Sequence, residues 1–214
     1  MYVRLKKIRI AKNSTKKLIC DSALITQEMY TTSQKIFPII DLGDYILREK
    51  NDGDAENFFN YYADPEVNKH IMCEIPKTVE DAKRELHYWR NVFYHNDGIY
   101  FAIAKKDTNQ LIGSIGLTTH NTYHSRIELS YDLAKEYWRR GITFKAIAAV
   151  LEYGFEKLKV NRIEAFTATS NIPSNQLLLK SGFTLEGCLR QHRYHRGSYV
   201  DAYSFSILRE DFYK

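Results

Sequence analysis

The sequence has few cysteines and no long apolar run, and both absences narrow the classes of protein to which it can belong. No stretch approaches the roughly 18 apolar residues of a membrane-spanning helix, and the first residues lack the apolar core of a secretory signal. Cys20, Cys73 and Cys188 are far apart and form no CxxC pair. This pattern favours free thiols in a reducing compartment over a disulfide framework or a zinc site. We therefore expect a cytoplasmic protein without a bound metal.

Acidic residues are missing from the first 20 positions, which carry seven lysines and arginines. The whole chain has a net charge of +5, so the residues after position 20 sum to −2. A second basic cluster lies at Arg190–Arg196. Such patches attract phosphate, in a cofactor or in RNA, although a solvated strand face explains the N-terminal one equally well. A weak contact between residues 1–20 and an anionic partner such as RNA is one hypothesis.

The regular signals of secondary structure begin near Tyr45. We interpret residues 1–43 as a basic, β-rich extension and residues 44–214 as the main domain. Asp54 is placed to cap a helix from Ala55 to about Tyr62, and Thr78 has the spacing of a capping box at the start of a second helix. Two more helices are predicted over 144–158 and 174–181, and strands over 45–49, 100–104, 111–117, 126–133, 162–169, 184–194 and 199–208. The closing hairpin makes the fold class α+β, not doubly wound.

A strand that runs into Trp138-Arg-Arg-Gly-Ile-Thr143 at the start of a helix has the features of an anion site. The unsatisfied N–H groups and the positive end of the helix dipole favour phosphate. Arg139 and Arg140 would add charge-assisted hydrogen bonds, and Gly141 would let the backbone approach a ligand closely. Taken alone, these six residues fit an ordinary solvated helix start equally well.

Several short motifs follow one another along the second half of the chain. They are Ile127-Glu-Leu-Ser-Tyr131, Tyr137-Trp-Arg-Arg-Gly-Ile142, Leu151-Glu-Tyr-Gly-Phe155, Asn161-Arg-Ile-Glu164, Asn171-Ile-Pro-Ser-Asn175 and Lys180-Ser-Gly-Phe-Thr-Leu-Glu-Gly187. Together they resemble the acetyl-CoA-binding core of the GNAT acetyltransferases, in particular the branch that acetylates the N-termini of ribosomal proteins. The likeness covers about four-fifths of the chain and excludes residues 1–43. It implies a mixed, mostly antiparallel sheet flanked by helices, acetyl-CoA as co-substrate and a primary amine as acceptor. It leaves a homodimer open.

The resemblance also implies roles for individual residues. Glu128 would be the general base, and Ser174 would protonate the CoA thiolate, although a serine there would equally cap the predicted helix. The backbone of the Glu128–Leu133 strand would polarise the thioester and pair with the pantetheine arm. Tyr131 faces the same side of this strand as two leucines, so core packing explains it better than catalysis. The residues expected to bind the cofactor are Leu129, Tyr131, Leu133, Arg139, Arg140, Gly141, Ile142, Thr143, Asn171, Asn175 and Lys180.

Two positions depart from the family pattern. Thr143 stands where a small Gly or Ala is usual, and we expect pyrophosphate binding to survive the change. Arg193 aligns with a position at which some relatives carry a catalytic glutamate, and arginine cannot act as a base. Glu128 is therefore the first candidate for that role.

The acceptor is the least determined part of the prediction. A protein N-terminal α-amine is the first hypothesis, and a polyamine, an aminoglycoside or an amino-sugar nucleotide is the second. A third alternative is a GNAT-like module that has lost its chemistry and docks RNA or the ribosome through its basic segments. Intact Gly141, Asn171 and Ser174 count against that third reading.

Overall fold

The computed structural model describes residues 35–71 and 74–214, which form one eight-stranded sheet with helices against it. The predicted basic segment at residues 1–20 lies outside the described residues, and so do Cys20 and Cys73. The strands are β1 (Ile40–Asp41), β2 (Tyr45–Arg48), β3 (Ile99–Lys105), β4 (Leu111–Asn121), β5 (Arg126–Leu133), β6 (Arg162–Ala168), β7 (Thr184–His195) and β8 (Ser198–Leu208). The helices are α1 (Ala55–Tyr62), α2 (Pro65–Asn68), α3 (Val79–Tyr94), α4 (Ile142–Glu156), α5 (Ile172–Lys180) and α6 (Arg209–Phe212).

The order of the strands across the sheet is β1-β2-β3-β4-β5-β6-β8-β7. Every neighbouring pair is antiparallel except β5 and β6, which run parallel and are joined through α4. This arrangement confirms the predicted α+β class, with a mostly antiparallel sheet and a closing hairpin, β7–β8.

Two apolar clusters hold the helices against the sheet. The larger one surrounds α4, whose Ile147, Val150 and Phe155 are fully buried, as the 3.6-residue period of its apolar positions predicts. The smaller one joins α1 and α3 to the sheet through Phe58, Leu86 and their neighbours. None of the helices in the described ranges is long and apolar enough to cross a membrane.

The predicted cap of α1 was wrong in its detail. The Asp54 carboxylate does not cap the helix; it accepts two hydrogen bonds from the Arg48 guanidinium, at 2.7 and 2.8 Å, and one from the Asn51 N–H. Asn51 instead caps a short 3-10 turn at residues 52–54, which leads directly into α1. The buried Arg48 needs a carboxylate partner, and the 3-10 turn that Asn51 caps leads directly into α1, which explains the exchange.

Two helices begin earlier than predicted. Helix α4 starts at Ile142, immediately after Gly141, and α5 starts at Ile172 with Asn171 as its N-cap. Ser174 is therefore the third residue of α5 and does not cap it. The cap prediction for Ser174 was wrong because proline is tolerated in the first turn of a helix, so Pro173 did not delay the start.

Part of the segment that we assigned to the extension contacts the core. Phe37 is only 8% exposed, and its ring packs against Phe93 and Phe101 at centroid distances of 4.8 and 5.2 Å. Strand β1 pairs with β2. The boundary at residue 43 stays a prediction, and the contribution of Phe37 to stability provides a test of it.

We expect Phe37→Ala to lower the free energy of unfolding by about 3 kcal/mol, because it removes a buried ring from a packed aromatic cluster. The neighbouring Ile36 is 85% exposed, so Ile36→Ala provides a matched control with an expected change of less than about 0.5 kcal/mol. Denaturant unfolding of both variants measures the difference. Equal effects would show that residues before 44 contribute nothing to the core.

Candidate active site

Strands β5 and β6 separate shortly after they meet. They pair only from Arg126 to Glu128 on β5, opposite Arg162 to Glu164 on β6. Beyond Glu128, β5 remains bonded to β4 on its other edge, and β6 remains bonded to β8. Apart from the Leu133 carbonyl, which the Trp138 side chain takes, the facing backbone groups of residues 129–133 have no partner strand on this side. They would pair with a ligand or with water, as buried polar groups must.

The loop predicted as an anion site lies at the open end of β5. Gly141 has φ +73°, and a Cβ there would meet no atom within 4 Å. Glycine is therefore favoured by the left-handed backbone and not by lack of space. Arg139 also has a positive φ, of 60°. The Trp138 Nε1–H donates to the Leu133 carbonyl at 2.7 Å and so ties the loop to the end of β5.

The N-terminus of α5 brings together three predicted residues. The Asn171 side chain accepts from the Ser174 N–H at 3.3 Å, which is its observed role as N-cap. The Ser174 hydroxyl lies 2.7 Å from the Tyr131 hydroxyl. Burial raises the pKa of Tyr131 to about 12, so the phenol keeps its proton at neutral pH. Tyr131 therefore contacts the candidate catalytic serine as well as the core.

One cavity of about 590 Å³ joins these parts. It is bounded by the end of β5, the loop and first turn of α4, the start of α5 and the end of α2. Its shape and polar groups suit a small-molecule site. The predicted residues that line it are Tyr131, Leu133, Arg139, Arg140, Gly141, Ile142, Thr143, Asn171 and Ser174.

Glu128 lies at the point where β5 and β6 separate, on the face of β5 opposite Tyr131. Its carboxylate is half-buried and lies 3.6 Å from the Arg193 guanidinium. Burial raises the pKa of Glu128, the charge of Arg193 opposes that rise, and nearby Glu164 adds to it. Glu128 is not among the described residues that line the cavity, so its role as base stays a prediction.

The side chains of three other residues that were predicted to bind the cofactor contact other parts of the protein. Leu129 is buried in the core. The Asn175 side chain is buried, donates to the Thr169 carbonyl at 3.2 Å and accepts from the Thr167 hydroxyl. The Lys180 ammonium lies over the Phe144 ring, 5.2 Å from its centroid. These side chains stabilise the surroundings of the cavity, and a direct contact with cofactor stays a prediction for each.

A buried polar network that the sequence did not predict lies beside the cavity. Asp132, which lines the cavity, accepts from the hydroxyls of Tyr61 at 2.6 Å and Tyr62 at 3.2 Å. Lys50 is buried and donates to the Ser114 hydroxyl at 2.5 Å. Burial lowers the pKa of Lys50 to about 8 and raises the pKa of Asp132. The only sequence signal was a lysine next to the polar Asn51-Asp-Gly-Asp54 stretch, which reads as an exposed turn.

Several known proteins that resemble this chain are named as acetyltransferases. Residues 44–184 match the model of the acetyltransferase (GNAT) domain. An uncharacterised N-acetyltransferase of Bacillus subtilis, YoaA, is 36% identical over 81% of this chain and 98% of its own length. The ribosomal-protein-serine acetyltransferase of Escherichia coli is 31% identical over 52% of this chain and 62% of its own. A GNAT-family acetyltransferase structure from Bacillus anthracis aligns with a TM-score of 0.71 and 26% identity, over 81% of this chain and 99% of that one.

We expect saturating CoA to raise the melting temperature of the protein, because a ligand that binds only the native state stabilises it by mass action. Gly141→Asp should abolish the shift by adding a negative charge and a side chain where phosphate would lie. Gly43→Asp is the matched control, since Gly43 also has a positive φ, of 90°, and open space around its Cα. Differential scanning fluorimetry compares the three proteins. An unchanged shift in Gly141→Asp would exclude the loop from the cofactor site.

Proposed function

Because the chain belongs to the GNAT acetyltransferase family, we propose that it transfers the acetyl group of acetyl-CoA to the α-amine of a protein N-terminus. The observation that carries this proposal is the single cavity in which the Trp138–Thr143 loop, Ser174 and the unpaired end of β5 meet. The named activity of the ribosomal-protein-serine acetyltransferase supports the choice of a protein as acceptor.

The residues around the cavity fit acetyl-CoA. The first N–H groups of α4, with Arg139 and Arg140, would hold the pyrophosphate, and the free edge of β5 beyond Glu128 would pair with the amide groups of the pantetheine arm. When bound, acetyl-CoA supplies the acetyl group as a thioester. The same N–H groups would polarise the thioester carbonyl in the gap between β5 and β6.

Glu128 would act on the acceptor amine. An α-amine titrates near pH 8, so much of it carries an extra proton at neutral pH and cannot attack a carbonyl. Glu128 would remove that proton, directly or through one water, from the side of β5 opposite the Tyr131 face. The raised pKa of Glu128 makes it a better proton acceptor than an exposed carboxylate.

Ser174 would supply the proton that the sulfur needs on leaving. As the nitrogen–carbon bond forms and the carbon–sulfur bond breaks, the amine gives up one proton and the sulfur takes up another. The Tyr131 hydroxyl is hydrogen-bonded to Ser174 and would hold it in the orientation for this transfer. Tyr131 therefore acts in this scheme as a positioning residue.

A panel of acceptors tests the proposed substrate class. We expect peptides with a free N-terminus to release CoA thiol at a rate above that of a polyamine, an aminoglycoside or an amino-sugar nucleotide. The same peptides with an acetylated N-terminus but a free lysine are the control for α-amine specificity. Turnover of a small amine alone would overturn the proposed acceptor, and no turnover of any amine would favour a module without chemistry.

We expect Glu128→Gln to lower the rate by ~10²-fold at pH 6.5, with a smaller loss above the pKa of the acceptor amine, since the free amine then needs no base. In the wild type, a raised carboxyl pKa means that activity falls on the acid side at a higher pH than for an ordinary glutamate. Steady-state rates from pH 5 to 9.5 measure both effects. Glu152→Gln, on the exposed side of α4, is the control. A near-full rate for Glu128→Gln at pH 6.5 would remove Glu128 from the mechanism.

A further inference from the structure

A row of basic side chains runs from Glu128 to the edge of the cavity. We call it the basic rim and define it as Lys69, His70, Arg193, His195 and Arg196. Lys69 and His70 line the cavity at the end of α2. At the tip of the β7–β8 hairpin, His195 Nε2 donates to the Lys69 carbonyl at 3.2 Å, and the Arg196 guanidinium donates to the Asn68 side chain. Arg193 completes the row beside Glu128.

The charge of the rim is not balanced by acids. Arg193 has Glu128 as partner at 3.6 Å, and Glu66 lies near His70. In the described ranges, Lys69 and Arg196 have no carboxylate within ion-pair distance, and the partner of Arg196 is a neutral amide. The pKa of His70 is lowered by burial and then by the positive charges of Lys69, His195 and Arg196. The rim is therefore a zone of positive potential next to the proposed base.

An irregularity in the β7–β8 hairpin fixes the position of Arg193. From Leu189 to Arg193, β7 advances four residues while β8 advances two, so β7 carries a bulge. Within it, Gln191 has a left-handed backbone, and its N–H donates to the Asp201 carboxylate at 2.7 Å. Bulges re-aim side chains at functional sites, and this one sets Arg193 opposite Val200 and over Glu128.

We propose that the acceptor of this enzyme is a polypeptide N-terminus followed by acidic residues, which the basic rim binds. This inference rests on the proposed function. A peptide whose amine lies at Glu128 would extend its next residues along the rim, which runs from Arg193 to Lys69 and His70 at the edge of the cavity. A polyamine would bring several positive charges to the same zone and be repelled.

RNA would also be attracted to a basic surface. The rim, however, begins at the ion pair of the proposed base and ends at the cavity that would hold the cofactor. Binding of an anion at the rim would promote acetylation only if the anion belongs to the same molecule as the reacting amine. An acidic peptide satisfies that condition, so it is the occupant to which the proposal commits.

The test compares three peptides with the same first two residues and with aspartate, glutamine or lysine at positions three to five. We expect kcat/KM for the aspartate peptide to exceed that for the glutamine peptide about tenfold at low salt, mainly through KM, and the ratio to fall as salt screens the rim. The double variant Lys69→Gln/Arg196→Gln should bring the ratio near one. Lys157→Gln/Lys159→Gln removes the same charge beyond the far end of α4, ~22 Å from its first turn, and should keep the ratio.

The outcomes separate the inference from the proposed function. Equal acetylation of the aspartate and glutamine peptides overturns the inference and leaves α-amine acetylation intact. Acetylation of small amines alone overturns the proposed function. Loss of the aspartate preference in both double variants would show a general charge effect and overturn the rim as its source. A short single-stranded RNA that inhibits the wild type but not the rim variant, without any peptide preference, would assign the rim to nucleic acid.

Discussion

The short parallel pairing of β5 with β6 is the constraint on which the rest of the site depends. Three residue pairs hold the two strands together, and both strands are fixed on their outer edges by longer antiparallel pairings, so the gap between them does not spread through the sheet. The gap exposes backbone donors in the middle of a sheet, where they are normally paired. It also gives access to both faces of the sheet, and in the proposed reaction a cofactor on the Tyr131 side would meet an amine on the Glu128 side there.

Buried charges fix the wall of this site. Arg48 and Asp54 form a bidentate pair with side chains only 8% and 4% exposed, and Lys50 and Asp132 lie nearby with hydroxyl partners. Such groups are costly to bury, and replacing them by apolar residues is often neutral or stabilising. In this protein the buried polar groups hold neighbouring elements in position. The hydroxyls of Tyr61 and Tyr62 join α1 to Asp132, and Asp132 stands next to Tyr131, which holds Ser174.

Periodicity and turn chemistry predicted the elements well, because each of them depends on neighbours in sequence. Thr78 caps α3, and the apolar stripe of α4 faces the core. The failures concern side-chain partners, which local patterns do not reveal. Arg48, six residues before Asp54, takes its carboxylate. Ser174 contacts Tyr131, 43 positions earlier. The Trp138–Thr143 loop could be predicted as a candidate anion site because its glycine and arginines are adjacent in sequence. The polar network of Lys50 and Asp132 could not be predicted, because it depends on the burial of both side chains in the folded protein.

The bulge in β7 shows how one irregularity links the proposed base to the basic rim. With regular pairing, Gln191 would stand opposite Val200, and Arg193 would lie two positions nearer the turn. Glu128 would then lack its cationic neighbour, and burial with Glu164 nearby would leave its pKa higher. In the observed pairing, Arg193 lies beside Glu128, and His195 and Arg196 at the hairpin tip contact the end of α2. The charge that would tune the proposed base and the surface proposed to bind acidic residues therefore belong to the same bulged hairpin.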